Sequence, residues 1–312
     1  MTMNQKTSYK LIALMMLFQP LSTPTSAQVK EMEVNIFESM KQSDKAVIVA
    51  VHTGSKDPFV LERYNRFGNK LKQAYPNYEL REAWTSRETI SQSDAMRASV
   101  THTPDELLSL LAKEGYTHVL LQPSSLYNDT QMQCLRNMVD NAKSQFKQIR
   151  LGEPLLSSTV DYEQVIEFTT QAFGTPKTAN IIIFDEANGE ENAQLALLDY
   201  IFKDKGLNTW YVGTTNGYPS FDSLTRRLKH DKMKKVRLIP FSFNTSSATV
   251  TESISTWAEK LQKAGYKVTA ENQSIGDLDN IIDIFRNHCK HAEEYRTLTA
   301  KEMIFIRIYT HW

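Results

Sequence analysis

Short runs of apolar, β-branched residues alternate along the chain with stretches whose apolar positions recur at helical spacing. Eight runs have strand character, and several are dominated by Val and Ile, as expected for strands buried on both faces. The predicted strands cover residues 46–51, 78–84, 117–122, 148–152, 180–184, 209–213, 235–241 and 266–270. The predicted helices cover residues 58–74, 103–114, 130–146, 162–173, 192–203, 220–229, 251–264 and 277–291. This alternation predicts βαβ units and parallel sheets.

The order of the elements is repeated. Residues 118–123 and 236–240 are both apolar strands that end in proline, pass through a Ser-rich loop and enter a helix. We therefore predict an α/β fold of two similar three-layer halves, each with a parallel sheet flanked by helices, over residues 44–160 and 177–293. The Gly-Thr-Pro stretch at 174–176 is the predicted linker. Ligands of such folds bind beyond the carboxyl ends of the strands, which here means the cleft between the halves.

Residues 1–27 have the pattern of a secretory signal peptide. Lys6 and Lys10 give a positive start, and residues 11–18 form a short apolar run. Small residues at 25–27 offer a cleavage site. An apolar run this short does not span a bilayer. We expect an exported protein, periplasmic if the source is a Gram-negative bacterium.

The composition argues against one class of binding partner and one kind of metal site. The chain of 312 residues has 36 Lys and Arg, 36 Asp and Glu, and 2 Cys. Zero formal net charge argues against a nucleic-acid partner, because phosphate binding needs a basic surface. Two cysteines cannot form a four-cysteine zinc site, and the sequence leaves open whether Cys134 and Cys289 pair.

Several short segments carry a family resemblance, in shared order over about residues 46–293. They are Tyr75-Pro-Asn-Tyr78, Ala83-Trp-Thr-Ser-Arg87, Thr103-Pro-Asp-Glu106, Glu114-Gly-Tyr-Thr-His118, Leu151-Gly-Glu-Pro-Leu155, Val212-Gly-Thr214, Gly217-Tyr-Pro-Ser220 and Ile239-Pro-Phe241. Together they resemble the anaerobic type of sirohydrochlorin cobaltochelatase, a class II chelatase with a ferrochelatase-like fold. The resemblance covers nearly all of the chain that follows the signal pattern.

The resemblance implies a reaction and a set of residues for it. Family members insert Co²⁺ into sirohydrochlorin, a tetrapyrrole held in the cleft between two similar halves. Two pyrrole N–H protons leave as the cation enters, and neutral imidazole both binds a transition metal and accepts protons near neutral pH. A carboxylate supplies compensating charge and a second proton acceptor. The family pattern has His, Glu and His in loops that follow three strands of the second half.

This sequence departs from the family at all three catalytic positions. Asp185 and Ala248 stand at the two histidine positions, and Asn216 stands at the glutamate position. The matching segments 212–214 and 217–219 fix Asn216 from both sides. An amide does not accept a proton at pH 7, and a methyl group cannot bind metal. We therefore expect metal insertion to be weakened or lost while the pocket persists.

Other residues in the predicted cleft loops are candidates for contact with the ligand. They are His52, Thr85, Arg87, Tyr218 and Ser247. The imidazole of His52 would bind a metal together with Asp185, or the iron of haem; the alternative is a loop histidine bonded to the backbone. Arg87 would pair with a propionate or acetate group, and Tyr218 would stack or hydrogen-bond at the ring edge.

Four further features of the sequence each allow two interpretations. Ser247 would bind a substrate carboxylate or cap a helix. The acidic residues within 185–191 would collect cations or compensate a helix dipole. His288 and His291, at i, i+3 spacing, would share a metal or mark an exposed helix end. Residues 296–312 lie outside the resemblance, have no assigned role, and would add an edge strand or mediate self-association.

These observations lead to one functional hypothesis and two alternatives. The hypothesis is an exported protein of the cobaltochelatase family that binds a tetrapyrrole, of sirohydrochlorin or haem type, in the cleft. The first alternative is an active sirohydrochlorin cobaltochelatase with a metal site rearranged around His52 and Asp185. The second alternative is a binding protein for a solute that is not a tetrapyrrole. We expect no required cofactor, with Co²⁺ or haem entering as ligands, and no transmembrane segment; a homo-oligomer stays open.

Overall fold

The computed structural model describes residues 31–38, 40–86, 102–184 and 189–297. Its larger unit, residues 35–294, contains two consecutive sets of strands and helices. The first set consists of β2 (Ala46–His52), α1 (Pro58–Ala74), β3 (Glu79–Trp84), α2 (Pro104–Lys113), β4 (His118–Pro123), α3 (Thr130–Ala142), β5 (Gln148–Leu151) and α4 (Thr159–Phe173). The second set consists of β6 (Ala179–Phe184), α5 (Glu191–Asp204), β7 (Trp210–Thr214), α6 (Phe221–His230), β8 (Lys235–Phe241), α7 (Ser247–Lys263), β9 (Lys267–Ala270) and α8 (Asp279–Glu294).

Each set builds one four-stranded parallel sheet. The strand orders are β3-β2-β4-β5 and β7-β6-β8-β9, so the two sheets share one topology. The register aligns Val47 with Val119 in the first sheet and Ile181 with Leu238 in the second. Parallel neighbours need crossover connections, and the helices between the strands supply them. The predicted fold class, two similar α/β halves with helix-flanked parallel sheets, is confirmed.

Alternate residues of the central strands face two different apolar cores. In β2, Ile48 and Ala50 belong to a large core that continues under both sheets, whereas Val47, Val49 and Val51 pack against α2 and α3. The second sheet repeats this arrangement. Its members of the shared core include Ile182, Phe184, Ile239 and Phe241, and its outer residues pack against α6 and α7. Burial on both faces explains why the strands are apolar throughout.

The last helix, α8, packs against β4, β5 and α1, although it follows the strands of the second sheet. Phe285 of α8 packs edge-on against Phe67 of α1, with ring centroids 5.4 Å apart. Arg63 of α1 binds Asp277, just before α8, at 2.5 Å, and Lys70 binds Asp283 at 3.0 Å. The predicted boundaries of the halves, 44–160 and 177–293, stay a prediction.

One helix begins earlier than predicted. The sequence predicts a helix from residue 251, but α7 begins at Ser247. The side chain of Ser246 accepts a hydrogen bond from the backbone N–H of Thr249, so Ser246 is the N-cap and the polar residues after it are helical. Helix α2 is capped by Thr103, whose side chain accepts a hydrogen bond from the backbone N–H of Glu106.

A second, small unit contains the described residues 31–34 and 295–297. Its strands β1 (Glu31–Glu33) and β10 (Tyr295–Thr297) pair antiparallel, with Met32 opposite Arg296. The predicted signal at 1–27 and the tail beyond Thr297 lie outside the described residues. No helix in the described ranges has an apolar stretch long enough to cross a membrane.

Candidate functional site

A cleft of about 350 Å³ opens at the carboxyl ends of β2, β4 and β8. Its walls come from both sheets, which is where the strand ends of two parallel halves predict a ligand site. The lining residues are Thr53, Ser125, Leu126, Tyr127, Asp129, Gln131, Phe241, Asn244, Thr245 and Thr249. Most of the lining polar groups are hydroxyls and amides, and none of these residues is Lys or Arg.

Asp129 is the one carboxylate among these lining residues, and it also begins helix α3. Its side chain accepts a 2.8 Å hydrogen bond from the backbone N–H of Met132. Burial raises the pKa of Asp129, and the negative charge of Glu191 on the other half raises it further, against the effect of the Met132 bond. The Asp129 carboxyl group therefore binds a proton more readily than an ordinary aspartate.

The three positions where the resemblance implies His, Glu and His follow three adjacent strands. The order β7-β6-β8 puts the residues after these strands at one edge of the second sheet. Asn216 lies in the exposed loop after β7, and Ala248 is an exposed residue in the first turn of α7. Asp185 directly follows β6 but lies outside the described residues. The described part of this edge thus holds an amide and a methyl group.

The loop that carries Asn216 is held by backbone contacts. The hydroxyl of Thr214 accepts a 2.9 Å bond from the N–H of Gly217, and the N–H of Tyr218 donates to Asn192 at 2.6 Å. The Tyr218 ring is 53% exposed, and the bond to Pro219 is cis. The loop therefore presents its two candidate side chains to solvent from a fixed backbone.

His52 lies in the core rather than in an open loop. Its ring is 1% exposed and stacks on Tyr64 with centroids 4.0 Å apart, while Phe67 approaches edge-on at 5.3 Å. Its Nδ1 lies 2.9 Å from the hydroxyl of Ser124. Within the described ranges, no group of three or more His, Cys, Asp or Glu side chains is placed to hold a metal ion. A ligand role for His52 stays a prediction.

Thr85 and Arg87 follow the strand next to His52. The N–H of Thr85 donates to the carbonyl of His52 at 2.8 Å, and Thr85 is exposed. The next residue, Ser86, donates its N–H to the carbonyl of Thr53, which lines the cleft. Thr85 is thus placed beside the cleft, whereas Arg87 lies outside the described residues.

Ser247 joins the two halves through Asp57. The carboxylate of Asp57 accepts the N–H of Ser247 at 2.8 Å and its hydroxyl at 2.5 Å. The other carboxylate oxygen accepts the N–H groups of Phe59 and Val60 at the start of α1. Burial opposes the charge on Asp57, but these hydrogen bonds outweigh it and lower the pKa. The Ser247 hydroxyl therefore has a structural partner.

The site also contains a residue that the sequence pattern does not reveal. Asn244 lines the cleft and accepts the hydroxyl of Tyr64 at 3.2 Å. It also contacts Ser124, both at the hydroxyl and at the carbonyl, at 3.5 and 3.4 Å. Nothing about an asparagine three residues past a strand marks it as a contact between halves, because its partners are distant in the sequence.

His288, the first of the two histidines near the end of α8, has structural partners. His288 Nε2 lies 2.8 Å from the carboxylate of Asp161, and its Nδ1 lies 3.1 Å from the carbonyl of Glu153. Its side chain is only 12% exposed, so the interpretation as an exposed helix end is wrong for His288. His291 is exposed. The two cysteines do not pair, since Cys134 and Cys289 are both free.

The acidic stretch before α5 is only partly described. Glu190 is the residue that precedes the helix, and Glu191 lies in its first turn. Negative charge in the first turn stabilises a helix through the dipole. The described residues therefore agree with dipole compensation, while Asp185 and Glu186 lie outside the described ranges and leave cation binding a prediction.

Comparison with known proteins points to one family. Residues 45–294 match the family model described as cobalt chelatase (CbiK). The chain is 25% identical to a sirohydrochlorin cobaltochelatase of Salmonella typhimurium, over 71% of this chain and 86% of that protein. The structure is similar to SirB from Bacillus subtilis with Fe³⁺, at TM-score 0.56 and 15% identity, over 80% of this chain and 96% of SirB. A cobalt complex of the sirohydrochlorin chelatase SirB from Bacillus subtilis subspecies spizizenii gives TM-score 0.54 and 12% identity, over 80% and 95%.

Proposed function

We propose a tetrapyrrole-binding function for this protein, which belongs to the cobalt chelatase family. The tetrapyrrole, of sirohydrochlorin or haem type, would lie in the cleft, and metal insertion would be weakened or lost. The observation that carries the proposal is the pair Asn216 and Ala248. They stand at the positions where the resemblance implies a proton acceptor and a metal ligand, while a cleft opens at the carboxyl ends of β2, β4 and β8.

The chemistry of insertion explains why these two positions matter. Each metal ion, as substrate, displaces two pyrrole protons, and those protons need acceptors in the transition state. The amide of Asn216 is not protonated near neutral pH, and the methyl group of Ala248 has no lone pair. Asp185 is the one ionisable group left at the three family positions. Binding does not need the acceptors, so it can outlast the loss of insertion.

The lining of the cleft supports a ligand of this kind. A volume of about 350 Å³ lies at the lower end of the range of small-molecule sites. Leu126, Tyr127 and Phe241 offer apolar surface for a macrocycle. The hydroxyls of Thr53 and Ser125 offer donors for the carboxylates at its edge.

An active chelatase with a rearranged site is the second candidate. The specific observation in its favour is Asp129, whose raised pKa makes its carboxylate a better proton acceptor inside the cleft. In this version Asp185 and His52 would hold the incoming Co²⁺, Asp129 would take one of the two pyrrole protons, and solvent water would take the other. Such a reaction needs no resident cofactor.

Export is a further part of the proposal and rests on the sequence alone. The charged start, the apolar run and the small residues at 25–27 support a signal peptide. A mature protein that begins at Gln28 in the periplasm of a Gram-negative host would support it. Unprocessed protein in the cytoplasm would contradict it.

Two measurements test the function. The purified protein is titrated with sirohydrochlorin, haem and a metal-free porphyrin, and binding is followed by the Soret band and by porphyrin fluorescence. Co²⁺ insertion into sirohydrochlorin is then measured for the wild type and for Asp185→Ala, with the exposed Asp222→Ala as a matched control.

The outcomes separate the candidates. Binding without turnover above background supports the proposal. Turnover that Asp185→Ala abolishes and Asp222→Ala leaves intact supports the rearranged chelatase. No spectral change with any of the three tetrapyrroles overturns both and favours a solute of another class.

A further inference from the structure

We infer that Asn244 is a ligand-binding residue that donates a hydrogen bond from its side-chain amide to a carboxylate of the bound tetrapyrrole. The inference rests on the proposed function and adds to it a residue in the cleft and the group it recognises. Asn244 is neither one of the three family positions nor one of the loop residues that the sequence pattern indicates as candidates.

The orientation of the Asn244 amide is fixed by its neighbours. The carbonyl oxygen of Ser124 can only accept, so the atom of Asn244 that lies 3.4 Å from it must be Nδ2. The amide oxygen then faces the hydroxyls of Tyr64 and Ser124. These contacts come from the opposite half, and they hold the side chain in one orientation.

Tyr64 is held so that its proton points to Asn244. The hydroxyl of Tyr64 donates to the amide oxygen of Asn244 at 3.2 Å, because an amide oxygen can only accept. Burial raises the pKa of Tyr64, so the phenol stays neutral and remains a donor. The ring itself is clamped by its stacking on His52.

His52 supports the same arrangement from the core. Its Nδ1 contacts the Ser124 hydroxyl at 2.9 Å, and that hydroxyl in turn points to the amide oxygen of Asn244. If His52 donates from Nδ1, every proton in the series His52, Ser124, Asn244 has an acceptor. In this arrangement His52 is a positioning residue that acts through Ser124.

The second hydrogen of the Asn244 amide is available to a ligand. A side-chain amide carries two N–H donors. One faces the carbonyl of Ser124, and among the described residues no acceptor faces the other, although Asn244 lines the cleft. A donor that is already oriented loses little conformational entropy when a ligand binds. Its hydrogen bond therefore contributes more to the affinity than one from a side chain that the ligand must first order.

A carboxylate is the acceptor that fits this surrounding. Around Asn244 the cleft offers further neutral donors in Thr53, Ser125 and Thr245. Hydrogen bonds to a charged acceptor are stronger than those to a neutral one, and several neutral donors together can stabilise a carboxylate without a cation. The acetate or propionate groups of a tetrapyrrole supply such acceptors.

The test compares three variants with the wild type in the sirohydrochlorin titration. Asn244→Leu removes the donor and keeps the same branched arrangement of side-chain heavy atoms. Asn244→Asp replaces the donor with a charge that repels the ligand. Tyr64→Phe removes only the hydroxyl that orients the amide. Asn137→Asp, on the exposed face of α3 and outside the cleft lining, makes the same chemical change as a matched control.

We expect Asn244→Leu to weaken binding about 10- to 100-fold and Tyr64→Phe to weaken it less. Asn244→Asp should bind weakest at pH 7 and should recover relative to the wild type as the pH is lowered to about 5. Two carboxylates that share a site raise each other's pKa, so the new aspartate becomes protonated there. A merely structural role would not produce this recovery.

The outcomes distinguish the inference from the function on which it rests. Wild-type affinity in folded Asn244→Leu and Asn244→Asp overturns the inference alone, as does an equal loss in Asn137→Asp. Failure of the wild type itself to bind any tetrapyrrole overturns both. A variant that does not fold is recognised by its circular dichroism, and Tyr64→Phe then decides, because wild-type affinity in that variant overturns the orientation argument.

Discussion

The carboxylate of Asp57 accepts hydrogen bonds from both the N–H and the hydroxyl of Ser247. One side chain therefore caps helix α1 and also binds the first residue of α7. The two helices belong to different halves. The same carboxylate that caps the first half thereby fixes one rim of the cleft.

Removal of this carboxylate should destabilise the protein. We expect Asp57→Ala to lower the free energy of unfolding by about 2–3 kcal/mol, because it loses a helix cap and two hydrogen bonds to a charged acceptor. Urea unfolding followed by circular dichroism measures the change. Glu259→Ala, at an exposed i, i+4 pair with Lys263, should cost less than about 0.5 kcal/mol. Equal losses in both variants would contradict the role of Asp57.

Acid should weaken the contact between α4 and α8. Burial alone would raise the pKa of Asp161, but hydrogen bonds from His288, Ser157 and Ser158 outweigh it and hold the pKa below its usual range. The stability that this group contributes is therefore complete above the unfolded pKa of about 3.9 and is lost as the pH falls through the lower, folded value. In Asp161→Asn, the free energy of unfolding should fall less steeply at acid pH than in the wild type. Glu163→Gln, at an exposed pair with Lys205, should keep the wild-type pH dependence.

Removal of the His288 imidazole should also destabilise the protein at neutral pH. We expect His288→Ala to cost about 2–3 kcal/mol. This is less than the usual cost of about 3–5 kcal/mol for breaking a buried pair, because hydrogen bonds from Ser157 and Ser158 still satisfy the Asp161 carboxylate. Urea unfolding at pH 7 gives the value. A change below about 0.5 kcal/mol would show that the contact is not stabilising.

Gly152 has no room for a side chain. A Cβ atom there would lie 1.8 Å from Oε1 of Gln122, a residue with 0% exposure. Gly152→Ala should therefore destabilise the protein by about 1–3 kcal/mol. Combined with Gln122→Ala it should cost less than the sum of the two single changes. Gly68, within helix α1, is the control, because a Cβ atom there would lie 3.6 Å from its nearest neighbour; Gly68→Ala should be neutral or stabilising. Additive losses of stability in the Gly152→Ala, Gln122→Ala double variant would refute the clash.

Restoring the family residues should restore or raise metal insertion. The triple variant Asp185→His, Asn216→Glu, Ala248→His regains two imidazoles and a carboxylate at the edge of the second sheet. General base catalysis contributes about 10²–10⁴-fold, so we expect Co²⁺ insertion into sirohydrochlorin to rise at least about 100-fold over the wild type. The control is the triple variant Asp185→His, Asn216→Gln, Ala248→His, because glutamine matches the size of glutamate but takes no proton. Equal rates in the two would argue against a lost proton acceptor.

The sequence carries enough information for the strands and for much of the packing. The run from Val47 to Val51 predicts a buried strand, and β2 continues it by one residue to His52. Because side chains alternate along a strand, His52 shares the face of Ile48 and Ala50, and that face lies in the core. The burial of His52 was thus predictable from a period of two once the strand was extended by one residue.

The contacts of Asn244 are of another kind. Its partners Ser124 and Tyr64 lie 120 and 180 residues away along the chain. A local pattern reports the spacing of neighbours, and it contains no information on which loop of one half meets which loop of the other. The same reason explains why the packing of α8 on the first sheet was not predicted.

The apolar core that runs beneath both sheets has a mechanical consequence. Separation of the halves would expose to water core residues of both sheets, such as Leu120 and Ile239, and would therefore cost the free energy of their burial. The shared core therefore opposes a wider opening of the cleft. Under the proposed function, the dimensions of a tetrapyrrole would then have to match a cleft whose width is set by the folding of the chain.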